Sequence, residues 1–125
     1  MLKMMRCNHC GNMVVSIKDA GVPIVCCGEN MEVLEPNTVD AAQEKHVPEV
    51  GVAGDYVTVK VGSVEHPMTE EHYITHIILE TDKGYQIARL TPQDKPEATF
   101  ALAGGAKAVA VYEYCNLHGL WKKEL

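Results

Sequence analysis

A chain of 125 residues has room for one ordinary domain, or for a small metal-dependent module beside one, and excludes more than two globular domains. An apolar fraction of 46% and a charged fraction of 22% describe a folded globular chain rather than a disordered one. The formal net charge of -6 argues against nonspecific nucleic-acid binding, which needs Lys and Arg to neutralise phosphates, and repels an anionic substrate unless a metal or a lysine reverses the local sign.

Residues 1–10 (MLKMMRCNHC) lack the apolar run of about 7 to 15 residues that a signal peptide requires. No stretch approaches the roughly 20 apolar residues of a membrane span, so the expected compartment is the cytoplasm. Four of the five cysteines fall within the first 27 residues. An odd, crowded set of this kind makes a poor disulfide framework and reads better as metal ligation. Cys7 and Cys10 form a CxxC, whose short gap lets one tight turn aim two thiolates at one ion. Cys26 and Cys27 complete a tetrahedral sulfur set that suits zinc or iron. Adjacent cysteines diverge in an extended segment, so joint ligation requires a local bend, which Gly28 favours. The alternatives are a zinc knuckle, in which metal substitutes for a core, a redox CxxC without its usual βαβ context, and a strained Cys26–Cys27 disulfide.

The cysteine-rich segment ends at Pro36, and residues 37–45 (NTVDAAQEK) are polar without an apolar period. A boundary here gives a four-cysteine module over residues 1–36 and a second domain over residues 37–125. In residues 56–61, Val57, Val59 and Val61 alternate with Tyr56, Thr58 and Lys60, the period of a half-buried strand. Further β-rich runs are expected over residues 72–80, 84–90, 98–102 and 108–114, with turns at Asp82-Lys83-Gly84 and Gly104-Gly105. Short strands at regular spacing predict an all-β sandwich or barrel.

This second domain holds five of the six histidines, His46, His66, His72, His76 and His118, together with Cys115. Cys115 and His118 form a CxxH, so one turn can present a thiolate and an imidazole while its N–H groups point at the sulfur. His72 and His76 have the spacing that pairs ligands on a helix, yet their surroundings are β-branched and aromatic. On a strand, four residues span about 13 Å, so no more than one of the two can join a given site. Spacing alone leaves open which one; the other packs as an ordinary strand residue.

Five blocks now stand in order: residues 7–12 (CNHCGN), 26–29 (CCGE), 44–48 (EKHVP), 62–68 (GSVEHPM) and 113–119 (EYCNLHG). In these the chain resembles the desulfoferrodoxin type of superoxide reductase along nearly its whole length. The resemblance implies an all-β protein, with a small desulforedoxin-like module followed by an immunoglobulin-like β-sandwich, and two iron ions. One iron would be held by Cys7, Cys10, Cys26 and Cys27. The other, catalytic iron would be held by His46, His66, His72 and His118, with Cys115 as axial thiolate. His76 stands outside that set, where the family tends to carry an aromatic residue.

The implied activity is one-electron reduction of superoxide to hydrogen peroxide without dioxygen release. Five protein donors leave one octahedral position open to substrate, and the thiolate pushes electron density toward it. Lys45 would place a positive charge beside the open side. Glu44 would occupy it in the oxidised state. Tyr114 would either hydrogen-bond near the site or pack. A rubredoxin-like donor would return the electron, and the family implies a homodimer. The competing readings are a noncatalytic zinc-binding module and a two-iron electron carrier.

Overall fold

The computed structural model describes residues 2–37 and 46–125. Glu44 and Lys45 therefore lie outside the described residues. The chain divides into two compact units, Met1–Glu35 and Pro36–Leu125.

In the first unit, β1 (Met4–Arg6) pairs antiparallel with β2 (Met13–Val15) on one side and β5 (Glu32–Val33) on the other. A two-stranded hairpin, β3 (Val25–Cys26) and β4 (Glu29–Asn30), stands beside them in sequence. The buried core is small, with Met5, Cys7 and Met31 at its centre and Val14 and Cys26 against them. So little apolar area does not offset the entropy of ordering such a unit, and another source of cohesion is required. The β3–β4 pairing closes at Cys26 and Glu29, which leaves Cys27 and Gly28 as a two-residue connection. Both have positive φ, 53° and 76°, the backbone of a type I′ hairpin turn.

Among the described residues the second unit has seven strands: β6 (Pro48–Ala53), β7 (Tyr56–Val61), β8 (Ile74–Thr81), β9 (Gly84–Arg89), β10 (Glu97–Ala101), β11 (Ala108–Cys115) and β12 (Gly119–Glu124). They form two antiparallel sheets, ordered β10-β7-β6 and β12-β11-β8-β9. The unit's first, second and fifth strands share one sheet and the other four share the second, an immunoglobulin-like sandwich. Val57, Val59, Val61 and Phe100 of the smaller sheet pack on Ile74, Ile77, Leu79, Val111 and Cys115 of the larger. The alternation expected over 56–61 is the pattern observed, with all three valines buried and Tyr56, Thr58 and Lys60 exposed. No helix among the described residues is long and apolar enough to cross a membrane.

Three differences from expectation are informative. β8 begins at Ile74, so His72 and Tyr73 precede the strand instead of opening it. Strands β6 and β12 were not expected, and both are edges. The first starts at Pro48 and carries Gly51, and the second carries Lys122, Lys123 and Glu124. An edge strand bonds one neighbour only, so it tolerates Pro, Gly and charge that would disrupt a central strand. Finally, the β8–β11 ladder slips by one residue: Tyr114 faces His76 while Cys115 faces Ile74. Thr75 is the extra residue of a β-bulge, which brings Ile74 onto the core face with Ile77 and Leu79.

Candidate metal centres

His46, His66, His72, Cys115 and His118 converge, with one donor atom from each lying within 4.8 Å of all the others. They come from four chain segments. His46 precedes β6, His66 and His72 bracket the loop entering β8, and Cys115 and His118 occupy the tip of the β11–β12 hairpin. That hairpin pairs Cys115 with Gly119, so the CxxH spacing is the turn itself. Gly119 has φ +83°, which a side chain there would strain.

The four imidazoles form a closed ring of neighbours, His46–His66–His72–His118, with centroids 5.1, 4.7, 5.0 and 4.7 Å apart in turn around the ring. Neighbouring ring planes are steeply inclined, between 67° and 79°. Each ring can therefore direct one nitrogen inward without stacking on the next. His46 Nε2 lies 3.0 Å from His118 Nδ1. Adjacent donors about 2.1 Å from one ion stand about 3.0 Å apart, so the observed spacing fits a shared cation. Cys115 Sγ lies 3.8 Å from His118 Nδ1. The thiol is fully buried while His118 is exposed, so the donor set runs from the interior at the sulfur to the surface at His118.

His66 gives an independent test of fit. Its Nδ1 is 2.7 Å from the carbonyl oxygen of Pro67. A carbonyl only accepts, so Nδ1 carries the proton and Nε2 carries the lone pair. Nε2 is buried and has no hydrogen-bond partner among the described residues. Such an orphan is costly in a native interior unless something absent from the chain binds it. Burial lowers the pKa of His66 to about 4 against the Pro67 hydrogen bond, and the neighbouring His72, His46 and His118 lower it further. The ring is neutral at pH 7, the form a metal requires. At Cys115, burial pushes the thiol pKa up, while N–H groups of Leu117 and His118 directed at the sulfur oppose that rise.

Neighbouring residues hold these donors in place. Trp121 stacks on His46 at 4.7 Å with planes 19° apart, and its Nε1 donates to the His118 carbonyl at 3.1 Å. Thr69 and His72 exchange backbone bonds of 3.0 and 3.2 Å. Asn116 bonds to both residues flanking His72: Oδ1 accepts from Tyr73 N–H at 2.9 Å and Nδ2 donates to the Glu71 carbonyl at 3.0 Å. Sequence reasoning assigned no role to Trp121, Thr69 or Asn116. The only available signal was the position of Asn116 inside the CxxH.

His76 lies outside the cluster. Its Nδ1 is 2.8 Å from Thr75 Oγ1, and burial followed by Arg89 lowers its pKa. Tyr114 is its cross-strand partner, so both side chains project from the sheet face opposite Cys115.

Cys7, Cys10, Cys26 and Cys27 form a second cluster within the same 4.8 Å limit, and all five cysteines of the chain are free. Cys10 Sγ and Cys26 Sγ are 3.6 Å apart. A tetrahedral ion with sulfur at about 2.3 Å places its ligands about 3.8 Å apart, close to that value. Backbone N–H groups of Cys10 and His9 bring the Cys7 pKa down to about 6. Cys27 is pushed up to about 12, chiefly by Cys10 and then Cys7 and Cys26. Four thiols this close cannot all ionise unless a cation sits among them. His9 is turned away to Glu29, at 3.0 Å.

The desulfoferrodoxin family profile matches residues 38–124. The desulfoferrodoxin of Syntrophotalea carbinolica is 48% identical over 124 residues, covering 98% of this chain and 96% of that protein. The crystal structure of the superoxide reductase from Treponema pallidum aligns with a TM-score of 0.84 at 38% identity, over 99% of this chain and 98% of that one. The Giardia intestinalis superoxide reductase described as 1Fe-SOR aligns at 36% identity and a TM-score of 0.56, over 66% of this chain and 99% of its own. A likeness whose span includes the residues of both clusters admits one conclusion: the chain belongs to the desulfoferrodoxin family.

Proposed function

We propose that this protein is a superoxide reductase that carries two iron ions. The reaction is one-electron reduction: superoxide takes up one electron and two protons and leaves as hydrogen peroxide, with no dioxygen released. The observation that carries this reading is the ring of four imidazoles backed by a buried thiol, with the exposed His118 on its rim. The Treponema and Giardia neighbours, both superoxide reductases, support it.

His46, His66, His72, His118 and Cys115 would hold the catalytic iron, which when bound supplies the electron and an open position for a small anion. Pro67 keeps His66 in its donating tautomer, and Trp121 keeps the His46 plane aligned. The N–H groups of Leu117 and His118 stabilise negative charge on the Cys115 sulfur. Lys45 supplies a local positive charge that draws superoxide in despite the net charge of -6. Glu44 would supply a carboxylate to the oxidised iron. The four cysteines of residues 1–36 would hold the second iron. An external donor of rubredoxin type closes the cycle, and the protein works as a homodimer in the cytoplasm.

The test is anaerobic mixing of the ferrous protein with pulsed superoxide. One oxidised His/Cys centre and one hydrogen peroxide should appear per superoxide consumed, with a rate that falls as salt rises and in Lys45→Ala. Dioxygen released in dismutase proportion, or a centre that stays reduced, rejects the reading. Zinc at both clusters on metal analysis would favour a noncatalytic module instead.

A further inference from the structure

We infer that Asn116 is a positioning residue that fixes His72 relative to Cys115 and His118, and so sets the affinity and symmetry of the five-donor cluster. This rests on the metal-binding part of the reading above. His72 lies at the end of the loop entering β8, because that strand starts two residues later, at Ile74. The ladder that would otherwise pin it to β11 slips at Thr75. The position of His72 therefore depends on bonds outside the sheet.

Asn116 supplies them. Its carboxamide spans the His72 residue, accepting from Tyr73 N–H on one side and donating to the Glu71 carbonyl on the other. The amide orientation is set by its partners, since an N–H only donates and a carbonyl only accepts. Its own backbone N–H adds a third bond, to the Tyr73 carbonyl at 3.2 Å. Thr69 holds the remaining side of the loop through its exchanged bonds with His72. Asn116 also sits between Cys115 and His118 in the hairpin tip. One side chain thus ties two ligand-bearing segments together, through an acceptor and a donor on separate atoms. Aspartate keeps the bond from Tyr73 but sets a carboxylate oxygen against the Glu71 carbonyl. Alanine loses both.

The experiment is a double-mutant cycle on ferrous-ion affinity, measured by chelator competition and read beside the absorption spectrum of the oxidised His/Cys centre. Asn116→Ala should weaken ferrous binding at this centre by about 10- to 100-fold, the usual range for a residue that orients a ligand. Its effect should fall below about threefold in a His72→Ala background, because the two act through one ligand. Asn116→Asp should lie between wild type and Asn116→Ala in affinity and in spectrum, and it carries the test if the alanine variant does not fold. Unchanged affinity and spectrum would overturn the inference, as would an equal loss with and without His72. Binding is the readout, so a wild type that binds ferrous ion but ignores superoxide refutes the proposed reaction while the cycle still decides the role of Asn116. A wild type with no ferrous binding at this cluster overturns both.

Discussion

Acid should destabilise the metal-free protein through His66 in a way that can be computed beforehand. The pKa of this ring falls from an ordinary 6.5 to about 4, because the buried imidazole cannot be hydrated when charged and the neighbouring His72, His46 and His118 repel a positive charge there. Between those values the unfolded chain binds a proton at residue 66 that the folded chain does not. Unfolding free energy therefore rises with pH across this window, and the contribution is lost as pH falls through it. Integration gives a loss of about 2 kcal/mol between pH 7 and pH 5, and about 3 kcal/mol by pH 4. The assay is urea unfolding of chelated, metal-free protein. The chain has one tryptophan, and Trp121 stacks on His46, so its emission reports on the second unit alone. Other groups also titrate, which is why the quantity to compare is the difference between wild type and His66→Gln at each pH. That difference should move in favour of the variant by about 2 kcal/mol from pH 7 to pH 5. A difference constant to within about 0.5 kcal/mol would refute a buried, neutral His66 with an unsatisfied Nε2.

Two further substitutions separate packing from ligation. Trp121 is 3% exposed, so Trp121→Ala should cost about 3 to 5 kcal/mol in urea unfolding of the second unit, followed by circular dichroism, and should release its metal. Trp121→Phe keeps the stack on His46 and loses only the bond to the His118 carbonyl, so it should cost about 1 kcal/mol beyond its smaller volume and retain metal. Gly28→Ala tests the hairpin that presents Cys26 and Cys27: at φ +76° a Cβ costs about 1 to 2 kcal/mol, although space for it exists. Metal release from the four-cysteine cluster should accelerate while the His/Cys centre keeps its spectrum, and equal release from both clusters would contradict this assignment.

Some of this protein is legible in local patterns, because local chemistry decides it. The alternation of Val57, Val59 and Val61 specifies a strand with one buried face, since successive side chains on extended backbone point to opposite sides. The adjacent Cys26 and Cys27, followed by Gly28, require a bend, and the type I′ turn meets that requirement. Donor chemistry is equally local: clustered thiols and imidazoles indicate metal wherever they finally sit.

Tertiary structure decides the rest, through contacts distant in sequence. Histidine spacing could limit His72 and His76 to one member of a site but could not choose between them. The choice follows from where β8 starts and from the bulge at Thr75, which together leave His72 beside the hairpin tip and His76 on the opposite sheet face. The edge strands β6 and β12 escape a pattern reading because pairing with a neighbour, not their own composition, makes them strands. Asn116 and Trp121 carry no signature of their own. Their importance arises because folding brings residue 116 against residues 71 and 73, and residue 121 against His46, and no local pattern records contacts across such separations.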